Sequence, residues 1–460
     1  MTESVDVVFI NSNYDSIGGM RREAWEPLGL GGLQAILENK EISTYLVDAY
    51  RDNLSSGGIL KEIDKKNPQI VAISAVDHTL SSALAVSREL KKDGYLVNMG
   101  GYGPTFQYER CLAEGNCDFV LRGEGEITVS ELFPELLKGN MDEIKRSKGV
   151  SYKDNGRIAV NPDQDVVMNL DKLPFPLRRD MSPSEYEKDG FLGATINSSR
   201  GCYWGNCSFC NIGKYPSGNI YRRRSPENVT EEMNMLYDEY EVSIFGDMSP
   251  CFLGGNKDEI KKLFRIFRND IDNPALKFET RADALLRFGD VIENNLDIIY
   301  GIDVGVENFS DAWLERNCKG TTAEENIEAI KMLQKFKGIK ESCGGDMFGQ
   351  FFEYFTIDFD IHTTIEEFEQ HYNILKDLGL ISMWTPNSIT YFPWISDIEE
   401  KRYWQENAND FALTLKYMRD NGLNCGSPVD ALKDGRLDER AEHLTDLFDG
   451  FLSEIKKQLA

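Results

Sequence analysis

The chain has 460 residues, 41% of them hydrophobic and 28% charged, with a formal net charge of −26. That length and balance describe a soluble globular protein of two domains and an appendage. The acidic charge repels phosphate backbones and argues against a nucleic-acid partner. No run approaches the ~18 apolar residues of a membrane span, and the start, Met1 to Asp6, lacks a basic-then-apolar leader, so no membrane role is expected. Nine cysteines without paired spacing fit a reducing, cytoplasmic compartment.

Residues 5–138 alternate short β-branched runs with amphipathic stretches. Strands are expected at 5–10, 43–47, 70–74, 95–99 and 119–121. Helices are expected at 28–39, 58–66, 80–93 and 127–138. This alternation predicts an α/β fold with a doubly wound parallel sheet. Ligands of such sheets sit at the carboxyl ends of the strands. Three loops stand there: 11–20, the turn from Ser74 through His78 to Thr79, and the glycine-rich run Gly100-Gly101-Tyr102-Gly103. Tight turn chemistry alone also explains such glycines.

Residues 140–193 read as a connector after a first domain of 1–139. Within it, 150–160 alternates around Asp154-Asn155-Gly156, a hairpin signal, and Leu173-Pro174-Phe175-Pro176 forbids helix. A second βα series over 194–395 has strands expected at 194–197, 243–245, 277–280, 298–304, 351–359 and 383–390, which predicts a partial (β/α)6 barrel. Residues 396–460 read as a charged helical tail.

The chemistry concentrates in Cys202, Cys207 and Cys210, on the loop after the first strand of that second series. Three thiolates at this spacing suit three irons of a [4Fe–4S] cluster and leave one iron open. A structural zinc site would need a fourth ligand, usually in a second pair. A disulfide framework belongs to small secreted chains, and a chance group of buried thiols is the remaining alternative. The basic run Arg222-Arg223-Arg224 is either a salt-bridged turn or an anion contact near the cysteines.

Asn197-Ser198-Ser199-Arg200-Gly201-Cys202 through Phe209-Cys210, followed by Arg224-Ser225-Pro226-Glu227-Asn228-Val229, resembles the radical S-adenosylmethionine superfamily. The likeness is strongest to its branch with an N-terminal, flavodoxin-like cobalamin-binding domain. Pro27-Leu28-Gly29-Leu30-Gly31, Val47-Asp48-Ala49, Gly100-Gly101 and Arg122-Gly123-Glu124-Gly125-Glu126 extend the likeness through the first domain. Four residues separate the first two cysteines here, where the family usually has three.

The resemblance implies Cys202, Cys207 and Cys210 as cluster ligands, with Phe209 against the ligand on the open iron. It implies Gly246 and Asp247 at the ammonium of S-adenosylmethionine, with a helix N-cap as the plainer role of Asp247. Glu279 and Arg281 fall near ribose and carboxylate, and Glu307 in the fourth-strand segment; a salt bridge inside the barrel is the plainer role of Arg281 and Glu307. Ser74, His78, Gly100, Gly101, Gly123 and Glu124 fall to cobalamin. The Asp-x-His-x-x-Gly signature that supplies a cobalt-ligating histidine is missing; the loop reads Asn13-Tyr14-Asp15-Ser16-Ile17-Gly18. Cobalamin is therefore expected without a histidine on cobalt, His78 being the one candidate in the domain. His362 falls at a helix entry near the fifth strand.

The implied activity is a cobalamin-dependent radical enzyme that methylates an unactivated carbon of a small molecule, with a flavodoxin- or ferredoxin-type electron donor. Two rivals follow from the same residues. One is a radical rearrangement, elimination or cyclisation with the first domain empty or its cobalamin used otherwise. The other is a non-catalytic iron–sulfur or cobalamin sensor, against which the ordered set Asp247, Arg281 and Glu307 argues.

Overall fold

A computed structural model describes residues 4–13, 25–186, 193–216, 220–342, 351–357 and 363–380. The expected strand at 383–390, the helical tail at 396–460, most of the 11–20 loop and His362 lie outside the described residues. The chain divides into two compact units, residues 1–203 with 212–276, and residues 204–211 with 277–460.

In the first unit, β1 (Val7–Asn11), α1 (Leu28–Glu38), β2 (Thr44–Asp48), α2 (Ser56–Lys66) and β3 (Ile70–Ser74) open the chain. Then come α3 (Leu80–Lys92), β4 (Leu96–Gly100), α4 (Tyr102–Phe106), α5 (Tyr108–Ala113), β5 (Phe119–Leu121) and α6 (Glu126–Leu137). β1 to β5 are parallel in the order β2-β1-β3-β4-β5. Helices cover both faces because side chains alternate along each strand. Val7 and Phe9 pack with Leu28, Leu37, Leu132 and Phe133 on one face, and Val8 and Ile10 with Ile59, Ile63, Leu80 and Leu84 on the other. The chain leaves β1 toward β2 and returns to β3 on the opposite side, so the carboxyl ends of β1 and β3 flank a topological switch point.

The hairpin in the connector forms as β6 (Val150–Asp154) and β7 (Arg157–Val160). Asn155 and Gly156 both take positive φ, at 49° and 80°, as a two-residue hairpin turn requires. β6 pairs antiparallel with β5, so the hairpin extends the sheet to seven strands. The glycine run after β4 is not an open loop: Gly101 turns the chain at φ 93° and α4 begins at the next residue. Pro104 is tolerated there because it lies in the first turn, where its missing N–H has no intrahelical partner to lose.

The second βα series starts with β8 (Ala194–Ile196), β9 (Ser199–Arg200), β10 (Arg222–Arg223), α7 (Pro226–Tyr240), β11 (Ile244–Asp247) and α8 (Lys257–Asp270). β8 and β11 run parallel, with Asp247 opposite Ile196. Ser225 caps α7 by accepting from Asn228 N, with Pro226 at the first helical position. β12 (Ala275–Arg281) leads into the second unit, which continues with α9 (Ala282–Glu293), β13 (Ile299–Glu307), α10 (Asp311–Arg316), α11 (Ala323–Ser342), β14 (Phe351–Thr356) and α12 (Ile365–Asp377). β13 and β14 pair in parallel, with a register shift between Gly305 and Glu307. Glu307 sits there at φ 67°, a left-handed conformation rare for a non-glycine residue. Among the described residues no helix is long and apolar enough to cross a membrane.

Candidate functional site

In the first unit a cavity of about 430 Å³ opens at the switch point. Its walls include Ser74, Gly100, Gly101, Gly123 and Glu124 from the sheet, and Asn197, Ser199, Arg200 and Gly201 from the segment leading to Cys202. Five of the residues expected at cobalamin therefore share one cavity. His78 does not join them in its lining; it is exposed on a single turn of 3-10 helix, Asp77–Thr79. Gly101 is required as glycine. A Cβ there would lie 2.8 Å from the Ala75 carbonyl oxygen, in a conformation L side chains rarely adopt.

Charged side chains frame this cavity. Arg200 pairs with Glu126 at 2.7 Å and with Glu124 at 3.2 Å. Arg222, 2% exposed, pairs with the same Glu124. Arg223 donates to the Phe252 carbonyl oxygen at 2.6 Å, and Arg224 pairs with Glu232. Of the two expected alternatives the run is thus the salt-bridged one, through Arg222 and Arg224, although it forms the short strand β10 rather than a turn. Tyr215 donates its hydroxyl to the Gly123 carbonyl oxygen at 2.7 Å, and burial pushes its phenol up, so it remains a neutral donor. Its ring lies 4.5 Å from that of Tyr102.

Asp247, 2% exposed, ends β11. Its Oδ1 accepts from Ser249 N at 2.8 Å and Ser198 N at 3.4 Å, while Oδ2 is buried without a partner. No helix starts there: α8 begins at Lys257 and is capped by Asn256, so Asp247 is not a helix N-cap. Ser249 Oγ accepts from Ser199 N at 2.8 Å. The loop after β11 therefore fastens the backbone that leads into the cysteine segment. Gly246 is buried beside Asp247. Cys251 is fully buried near the same strand end.

In the second unit, Cys207 is 8% exposed and Cys210 half-buried. Ser208 holds this stretch down: its N donates to the Asn317 carbonyl oxygen at 3.0 Å and its Oγ to Asn317 Oδ1 at 2.7 Å. Trp204 Nε1 donates to the Cys318 carbonyl oxygen at 2.7 Å. Phe209 packs its ring 5.9 Å from that of Trp313, in an apolar patch with Leu314 and Ile357. Burial pushes the Cys207 thiol up to about 11, against the pull of Lys319 and Arg281. Glu307 pairs with Lys319 at 3.0 Å, and Arg281 pairs with Asp283 at 2.8 Å. Glu279 is exposed on β12.

None of the described cysteines is in a disulfide, which removes that alternative among them. Among the described residues no three His, Cys, Asp or Glu side chains are gathered as a ready metal-ligand set. Sequence reasoning did not single out Trp204, Arg200, Tyr215, Asn317 or Lys319. Trp204 had a visible signal, as one of the four residues between the first two cysteines; Asn317 had none.

Two family models match the chain: the B12 binding domain over residues 16–133 and the Radical SAM superfamily over residues 196–351. An uncharacterized methyltransferase of Pyrococcus horikoshii is 31% identical over 318 residues, 67% of this chain and 67% of its own length. The anaerobic magnesium-protoporphyrin IX monomethyl ester cyclase of Cereibacter sphaeroides is 26% identical over 394 residues, 83% of this chain and 62% of its own. Among solved structures, the cobalamin-dependent S-adenosylmethionine radical enzyme OxsB, with aqua-cobalamin and S-adenosylmethionine bound, matches at a TM-score of 0.66. That match covers 92% of this chain and 62% of OxsB at 17% identity, so it speaks for the fold. The chain thus spans about two thirds of the length of these relatives.

A Radical SAM domain takes a [4Fe–4S] cluster and S-adenosylmethionine, and a B12 binding domain takes cobalamin. This chain's residues fit those groups. Free thiols are a cluster's donor chemistry, the unpartnered Asp247 Oδ2 suits an ammonium donor, and the Gly101 cradle keeps side chains out of the cavity. With both domains in this order and a relative 31% identical over two thirds of each chain, the chain belongs to the radical S-adenosylmethionine enzymes that carry an N-terminal B12 binding domain.

Proposed function

We propose that this enzyme transfers a methyl group to an unactivated carbon of a small metabolite or natural-product intermediate. The observation that carries the reading is the cavity at the switch point. It runs from the glycines of the sheet to Gly201, the residue before Cys202. A group seated on the sheet therefore reaches the segment that starts the cysteine loop. When bound, the cofactors supply a carbon-centred radical oxidant and a methyl donor.

The chain's own residues bind and orient. Cys202, Cys207 and Cys210 are the cluster ligands in this reading. Asp247 offers Oδ2 to the ammonium of S-adenosylmethionine, by a charge-assisted hydrogen bond. Gly101 and Gly123 leave room for the corrin, and no histidine of the chain ligates cobalt. An electron donor of flavodoxin or ferredoxin type serves the cluster, and the protein works in the cytoplasm.

The test is stoichiometry. The protein is reconstituted anaerobically with iron, sulfide and hydroxocobalamin, then supplied with S-adenosylmethionine, a reductant and candidate substrates. Each methylated product is expected with one 5′-deoxyadenosine and one S-adenosylhomocysteine. Asp247→Ala is expected to depress both products together and to weaken S-adenosylmethionine binding by roughly tenfold. The cyclase relative supports a second reading, in which the radical rearranges or cyclises its substrate. A product of unchanged carbon count, formed without S-adenosylhomocysteine, establishes that reading and removes methylation.

A further inference from the structure

Arg281 ends β12 and is 5% exposed. The family resemblance implies a place for it beside S-adenosylmethionine, but its hydrogen bonds turn it elsewhere. Nε donates to Asp283 Oδ1 at 2.8 Å and Nη2 to the Lys319 carbonyl oxygen at 2.7 Å. The guanidinium lies 5.4 Å from the Trp204 ring centre, a cation–π contact. With those sides engaged, Nη1 donates to Cys207 Sγ at 3.7 Å. Trp204 is fixed in turn. Its indole N–H is held by the Cys318 carbonyl oxygen, and its ring lies so close over Gly320 that a Cβ there would come within 2.1 Å of it. Trp204 belongs to the four-residue stretch between the first two cysteines, one residue longer than the family usually has.

We propose that Arg281 is a hydrogen-bond donor to the Cys207 sulfur that raises the reduction potential of the cluster, and that Trp204 is the positioning residue that holds it there. The inference rests on the reading of Cys207 as a cluster ligand. Adding an electron places more negative charge on the cluster sulfurs. A fixed cation and an N–H at one sulfur stabilise the reduced state more than the oxidised one. Hydrogen bonds to sulfur and nearby charge are known levers on such potentials. The effect is large where water is excluded, as around Cys207.

The test uses the full chain with reconstituted cluster and three variants, Arg281→Met, Arg281→Lys and Trp204→Phe. The readouts are iron and sulfide per chain, the midpoint potential by redox titration followed by electron paramagnetic resonance, and S-adenosylmethionine affinity by equilibrium dialysis. Arg281→Met is expected to keep its iron and to shift the one-electron equilibrium toward the oxidised cluster by roughly tenfold, ~59 mV. Arg281→Lys keeps the charge without the fork and should shift it less, and Trp204→Phe less again. S-adenosylmethionine affinity should stay within about threefold of the parent, below the tenfold that 1.4 kcal/mol represents. An unchanged potential in Arg281→Met overturns the proposal. So does a tenfold loss of S-adenosylmethionine affinity at parental potential, which returns Arg281 to the substrate side. If neither Arg281 variant takes up iron, its role is packing and the tuning proposal falls. Full iron in Cys207→Ala removes the ligand reading itself, a result distinct from any of these.

Discussion

The cavity of the first unit and the cysteine stretch of the second are built in opposite ways. The cavity exists because side chains are left out: Gly100 ends β4, Gly101 follows it and Gly123 follows β5, at the carboxyl ends of parallel strands beside the switch point. The cysteine stretch is held because side chains are put in. Trp204 and Ser208 reach backbone and side-chain partners at Asn317 and Cys318, more than a hundred residues along the chain. A cavity made by omission is robust to its surroundings and sensitive to added atoms. A loop held by inserted partners is sensitive to their loss. The contrast teaches where each region should break.

The largest expected effect is at the cysteines. Cys202→Ala, Cys207→Ala and Cys210→Ala should each lose most of the iron bound after anaerobic reconstitution, whereas Cys111→Ala, Cys117→Ala and Cys251→Ala should keep it. Burial pushes the Cys111 thiol up to about 12 and Cys117 well above its ordinary value, as expected of inert core thiols. Iron per chain decides this, and full iron in any of the first three would sink the cluster assignment.

Next comes an added side chain in the cavity. Gly101→Val forces a β-branched residue to φ 93° against the Ala75 carbonyl oxygen. It should cost about 1–3 kcal/mol of stability and weaken cobalamin binding by at least about tenfold. Cobalamin uptake equal to the parent's, in a folded variant, would separate the cavity from the cofactor.

A smaller effect tests the second unit away from the cysteines. Burial pushes the Asp303 carboxyl up to about 6, against the pull of Lys277 3.1 Å away, and one of its oxygens is buried without a partner. A folded-state value above the ordinary 3.8 means the folded chain binds this proton more tightly. The stabilisation is complete below that ordinary value and is lost as pH rises through about 6. Asp303→Asn should therefore raise the melting temperature at pH 7 by the equivalent of about 1–3 kcal/mol, with the gain gone at pH 3.5. An equal gain at both pH values would contradict this assignment.

The smallest effect is at His78. Exposed on its short turn, His78→Ala should change stability by less than about 0.5 kcal/mol. Electron paramagnetic resonance of the cob(II)alamin form should lack nitrogen splitting from the protein in parent and variant alike. A parental imidazole pattern that vanishes in the variant would make His78 the cobalt ligand.

Much of this was legible in the chain. The alternation of β-branched runs with amphipathic stretches located the first five strands within two residues at each end, because a strand buried on both faces must be continuously apolar. Asn155-Gly156 located the hairpin turn, since few residue pairs accept positive φ twice. Spacing alone singled out the three cysteines, and motif order singled out Asp247, Arg281 and Glu307.

Partnership was not legible. The sequence could not say that Asp247 would keep one oxygen free, that Phe209 would turn toward Trp313, or that Arg281 would reach Cys207. Each depends on residues brought near by the fold, and nothing local encodes which side chain meets which. The joining of the connector hairpin to β5 was likewise decided only in three dimensions, because a sheet edge accepts any strand of matching length and pattern. Local backbone preference and hydrophobic period determine elements, so the sequence by itself determined the strands, the turn and the thiol loop. Hydrogen bonds and ion pairs between distant residues form only once the chain is packed, so the tertiary structure alone decided what each site residue faces.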